Sequence, residues 1–124
     1  MDDAPATSLV LVRPGPRWEP DRPLAAQRYA AAHMAWIRKH VASGTALIAG
    51  PIWHYNEPLT GDLVGVLVLN LPVDAATALT RTDPAVIAER LTMSVHPFYR
   101  VVVDPEPTPD GSGDALDSAA AQRF

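Results

Sequence analysis

Residues 24–43 form the longest stretch of this chain free of glycine and proline, and the rest is cut into short pieces by 13 prolines and 7 glycines. There is room for one long helix, and everything else must be built from short elements. The stretch is rich in alanine, the best helix former, and Pro23 suits a first helical turn, where its missing amide hydrogen has no intrahelical partner. Lys39 and His40 lie toward the end at which the helix dipole favours positive charge, and Gly44 supplies the stop. Ala30, Met34, Ile37 and Val41 recur at i, i+4, i+7 and i+11, a stripe predicted to face the core. His33 falls about 70° from the centre of that stripe, at about 100° of turn per residue, and so at its boundary.

The short pieces read mostly as strands. Residues 8–13 (Ser-Leu-Val-Leu-Val-Arg) form one, stopped by Pro14-Gly15-Pro16. Residues 45–54 form a second that contains Gly50-Pro51, so it must lie at an edge or carry a bulge or bend. Hairpin-loop residues at 56–62 lead into residues 63–71, whose unbroken apolar character predicts a central strand buried on both faces. Pro72 and Asp74 introduce a helix over 75–81, Thr82-Asp83-Pro84 interrupts it, and 85–90 resume it. Residues 91–103 form a last strand, with Pro97 at an edge or bulge.

The order is β-α-β-β-α-β, the ferredoxin-like α+β arrangement: a four-stranded antiparallel sheet with two helices on one face. Its other face is too apolar to stay wet, which predicts a homodimer closed sheet against sheet into a dimeric α+β barrel. At 124 residues the chain makes one domain, over 8–103, after a short lead at 1–7. A tail over 104–124, rich in proline, glycine and alanine, is expected to be mostly disordered.

A net charge of −4 leaves no cationic excess to neutralise a phosphate backbone, so nucleic acid is not an expected partner. The absence of cysteine excludes disulfides, thiolate nucleophiles and cysteine-ligated metal centres. The acidic start lacks the features of a secretory signal, and the most apolar run is about half the roughly 20 residues a membrane helix needs. A soluble, cytoplasmic protein that does not engage membranes is expected.

No phosphate-binding glycine loop, nucleophile elbow or zinc-binding helix motif is present. Candidate chemistry therefore falls to single residues. His33 is either a half-exposed helix residue or a general base projecting into a cleft, since imidazole changes charge near neutral pH. Asp83 either caps the helix that starts at Pro84 or orients the His33 ring, and the two roles are compatible. A metal site from His33, His54 and His96 has no ligand spacing to recommend it, and no metal or cofactor is assigned. Trp53, Tyr55, Phe98 and Tyr99 near strand ends line either an apolar pocket or the core or dimer interface, and Trp18 and Trp36 read the same way.

Several pieces occur in an order that resembles the YciI (YCII-related) family. They are the strand Leu-Val-Leu-Val-Arg-Pro-Gly, His33 in mid-helix, Leu47-Ile48-Ala49-Gly50-Pro51, Asp83-Pro84-Ala85-Val86 and Val95-His96-Pro97-Phe98. The resemblance spans about residues 9–103 and implies a dimeric ferredoxin-like barrel. It also implies a catalytic pair at His33 and Asp83, with substrate contacts at Gly50, Pro51, Trp53 and Phe98. The activity implied is cofactor-free lyase or dehydrochlorinase-type acid/base chemistry on a small molecule. The alternative is a non-catalytic ligand-binding or accessory module. The chain departs from the family in having Glu89-Arg90 where a small residue is usual, and these side chains would fill the pocket if they pointed inward.

Overall fold

The computed structural model describes residues 6–54, 57–58 and 62–101; positions 1–5 of the expected lead at 1–7 and the tail at 104–124 lie outside the described residues. β1 (Thr7–Pro14) has hydrogen-bonded neighbours on both sides, β5 (Gly65–Leu69) and β6 (Leu91–Phe98), and β2 (Ala46–Pro51) completes the sheet beyond β5. The order β2-β5-β1-β6 has antiparallel pairing throughout. This α+β architecture is compatible with the ferredoxin-like arrangement. The two strands with a proline beyond the sheet's centre, β2 with Pro51 and β6 with Pro97, are edge strands, where a missing ladder donor is tolerated, while central β1 carries Pro14 only as its last residue. The expected irregularity in β2 is a register shift between Ala46 and Ile48, ahead of Gly50-Pro51. The second strand read from sequence is also divided, because Trp53–His54 (β3) leaves the sheet to pair with Glu57–Pro58 (β4).

Alternation along the strands sorts the sheet into two faces. Val10, Leu67, Ala49 and Val95 stand opposite one another in register, and this face packs against Trp36, Ala76 and Ala85 of the helices. Leu9, Val68, Ile48 and His96 share the other face, as do Leu11, Val66 and Ser94. Among the described residues no helix covers that second face, and Ile48 is 61% exposed.

The long helix departs from expectation in two ways. Residues 24–43 do not form one helix: a 3-10 turn at Leu24–Ala26 is followed by a break, and α1 runs over Ala30–Ala42. The cause is Gln27, which is buried and spends its side chain on the preceding loop. Its Nε2 donates to the carbonyls of Glu19 and Arg22, each at 2.8 Å, and its Oε1 accepts from the Glu19 amide at 3.0 Å. Tyr29 then takes a left-handed backbone, φ 69°, which an uninterrupted helix excludes. The buried face of α1 is also rotated by roughly a quarter turn from the expected stripe. His33 and Trp36 are buried, whereas Met34 and Val41 are 40% and 48% exposed. His33 is thus a core-facing residue and not a boundary one.

After β5 the chain forms α2 (Val73–Thr80), breaks at residues 81–83 and forms the single turn α3 (Pro84–Ile87). Glu89 follows with φ 61°, and its carbonyl receives the Arg17 amide at 2.8 Å, while Gly15 donates to the Arg90 carbonyl at 3.0 Å. The loop leaving β1 is thereby stitched to the end of α3. A Cβ at Gly15 would stand 2.4 Å from the Glu89 carbonyl oxygen, a backbone atom that cannot rotate away. Gly15→Ala is therefore expected to destabilise the protein by about 1–3 kcal/mol, as overpacking does. An unchanged urea midpoint for that variant would refute the close approach.

Candidate functional site

The break between α2 and α3 places an aspartate where two demands meet. α3 needs acceptors for its first amides, and Asp83 is its N-cap, with Oδ1 accepting from the Ala85 amide at 2.9 Å and Pro84 in the first turn. The second carboxylate oxygen is left over. It points at α1, where Oδ2 lies 2.5 Å from Nδ1 of His33. Both groups are inside the protein, the Asp83 side chain fully and the His33 side chain at 6% exposure. The cap and the histidine partner are thus one residue serving both roles at once.

A carboxylate can only accept hydrogen bonds, so facing Asp83 the Nδ1 of His33 carries the proton and donates it. Neutral imidazole then has its lone pair on Nε2. Among the described residues Nε2 has no hydrogen-bond partner, and it is not among the fully enclosed polar atoms. His33 also forms part of the wall of a cleft of about 100 Å³, together with Leu24, Ile37, Ala49, Gly50 and Pro51. The arrangement can therefore present one proton acceptor to whatever enters an otherwise apolar space.

A second bond from α1 reaches the same break. Trp36, one turn after His33, donates from Nε1 to Thr82 Oγ1 at 2.8 Å, and Thr82 Oγ1 donates to the Leu79 carbonyl at 2.7 Å. The Trp36 ring stacks beside the imidazole of His33, with centroids 6.4 Å apart and planes 19° apart. Consecutive residues 82 and 83 are thus gripped by side chains spaced i, i+3 on one helix face. Sequence reasoning left Trp36 between a pocket and the core or interface, and gave Thr82 no role beyond the helix break. The i, i+3 spacing from His33, set beside the Thr-Asp pair, was the available signal.

The other expected site residues divide. Gly50 and Pro51 lie on the same cleft as His33. Phe98 does not: it pairs with Thr7, whereas Pro51 sits across Gly65 from Val12, five positions further along β1 and about 17 Å away at 3.3 Å per residue. Phe98 is removed from the cleft because register carries the end of β6 to the opposite end of the sheet. The side chains of Trp53 and His54, and Tyr55 entirely, lie outside the described residues. His96 is exposed and pairs through Nε2 with Ser94 Oγ at 2.9 Å. Among the described residues, no three His, Asp or Glu side chains come together to hold a metal ion.

Glu89 and Arg90 do not fill the pocket. Glu89 is exposed, and Arg90 turns to the loop after β1, where it donates to the Arg17 carbonyl at 2.5 Å and faces Glu19 at 3.8 Å. His40, expected to place a favourable charge at the end of α1, packs edge-on against Trp36, with centroids 4.9 Å apart. Burial, and after it the positive charge of Lys39, lower its pKa from the ordinary imidazole value, so the neutral form prevails at pH 7. No protein-family model matches the sequence, and no curated protein matches it.

Proposed function

We propose that the protein is a YciI-like enzyme that carries out general acid/base chemistry on a small molecule, with His33 moving the proton and Asp83 positioning it. The observation that carries this reading is the buried His33–Asp83 pair, with His33 in the wall of an apolar cleft. In a lyase or dehydrochlorinase-type elimination, Nε2 takes a proton from substrate carbon. The C–H electron pair becomes a double bond, and the leaving group departs with its own pair. Asp83 holds the Nδ1 proton throughout and balances the imidazolium that forms. Gly50 and Pro51, which add no long side chain to the opposite wall, contact the substrate. Positioned proton transfer of this kind is worth about 10²–10⁴ in rate.

The experiment is turnover of small halogenated and hydroxylated compounds by the wild type and by His33→Ala. A loss of about 10²–10⁴ is expected for the variant. A variant that keeps wild-type turnover would remove His33 from the chemistry.

A second reading has its own support. The His33–Asp83 and Trp36–Thr82 bonds together weld α1 to the α2–α3 break, a structural duty that requires no turnover. On that reading the cleft holds a ligand unchanged, and the protein is a binding or accessory module. Recovery of the bound compound without chemical conversion favours it.

The same proposal includes a homodimer formed through the open sheet face, giving the dimeric barrel, and a cytoplasmic location. Support for the dimer is the apolar row of Leu9, Val68 and exposed Ile48 on a face without a helix. Among the described residues no helix is long and apolar enough to cross a membrane. Ile48→Lys, which sets a charge at the exposed β2 end of that row, is expected to convert the dimer to monomer in light scattering at micromolar concentration. A monomeric wild type would end the dimer proposal.

A further inference from the structure

The cleft beside His33 specifies more than a reaction type. Val12, Leu24, Ile37, Ala49, Val64 and Leu67 bring only hydrocarbon to it, and among the described residues His33 is the one polar side chain that lines it. No lysine or arginine lines it among those residues, so a carboxylate or phosphate drawn inside would lose its water shell without gaining a cation. The net charge of −4 adds a long-range repulsion of anions. Asp83 meanwhile commits the single polar contact to one sense. With the proton held on Nδ1, Nε2 accepts and cannot donate.

Resting on the reading of His33 as a site residue, we propose that the cleft takes an uncharged small molecule with an apolar body and one O–H or N–H donor, which docks on Nε2. An apolar cavity of about 150 Å³ accommodates benzene. The space of about 100 Å³ here, open to solvent on one side, therefore fits a body of about four to six carbons. Ketones and esters of the same shape are discriminated against, because their oxygen would face the lone pair of Nε2. Carboxylic acids are excluded as anions.

The test uses the full chain labelled with 15N-histidine and three probes that share a five-membered ring: cyclopentanol, cyclopentanone and cyclopentanecarboxylate. The His33 ring resonances report occupancy. Cyclopentanol is expected to shift them saturably, with at least tenfold higher affinity than cyclopentanone, and cyclopentanecarboxylate is expected to give no saturable shift. In Asp83→Asn, where the amide drives the proton onto Nε2, the hydroxyl and the ketone oxygen can both accept from it, and the preference for cyclopentanol is expected to disappear.

Equal affinity for the alcohol and the ketone, or tightest binding by the carboxylate, would overturn the ligand class while leaving His33 as a site residue. If none of the three moves the His33 resonances at 100 mM, about a thousandfold above a strong small-probe affinity, both this proposal and the reading it rests on fall.

Discussion

Asp83→Asn is expected to leave the protein folded, within about 1 kcal/mol of wild type, while lowering turnover by about 10²–10⁴. The two halves of that result come from the two oxygens. Asparagine caps helices as well as aspartate does, so Oδ1 continues to accept from Ala85. Using the oxygen there obliges the amide nitrogen to take the place of Oδ2 against His33. An amide nitrogen donates, so Nδ1 must become the acceptor, and the ring proton moves to Nε2. The ring nitrogen that Asp83 does not engage, and that served as the base, then carries a proton. What is lost in stability is only the difference between a charge-assisted hydrogen bond and a neutral one.

Three measurements check it: the urea midpoint, the 15N shifts that distinguish the histidine tautomers, and turnover. A variant with Nδ1 still protonated and full activity would show that the carboxylate does not govern the ring. Asp83→Ala separates the roles differently, because it removes cap and partner together and leaves a buried imidazole N–H unpaired.

The largest loss of stability is expected where a large side chain with no exposure sits between two strands of the sheet. Leu69 is fully buried at the end of β5, between Ser8 of β1 and Ala46 of β2, and belongs to the same core as Trp36 and Ala76. Leu69→Ala removes those contacts and leaves a hole walled by two strands that backbone hydrogen bonds hold in place. The expected cost is about 2–5 kcal/mol, the range seen when such side chains are cut back in rigid surroundings. Against a typical total of about 5–15 kcal/mol, this consumes a large part of the stability. The same truncation at Ile48, which is 61% exposed, should cost the monomer far less. A loss below 1 kcal/mol for Leu69→Ala in urea unfolding would mean that the core can close over the gap.

What could be read before any coordinates were those features that are set by neighbouring residues. Alternating and continuous apolar runs marked the strands, prolines marked their edges, and Thr82-Asp83-Pro84 marked the interruption between α2 and α3, because each acts through local backbone geometry. The start of α1 was misjudged for the complementary reason. Residues 24–29 have good helical propensity, but Gln27 gains three hydrogen bonds from a loop that propensity does not register. The buried face of α1 was also misassigned, because hydrophobicity favoured Met34 and Val41 over His33. A histidine becomes a core residue only when a partner such as Asp83 waits 50 positions away in sequence.

The chain's own pattern therefore determined the order of its main elements, the need for an edge, bulge or bend at Pro51 and Pro97 and the capping duty of Asp83, all of which depend on a few adjacent residues. Tertiary structure alone decided which face of α1 is buried, that Trp36 and Thr82 join the His33–Asp83 pair, that Glu89 and Arg90 turn away from the cleft and that Phe98 lies far from it. These are outcomes of strand register and of hydrogen bonds between distant segments, and no local periodicity encodes them.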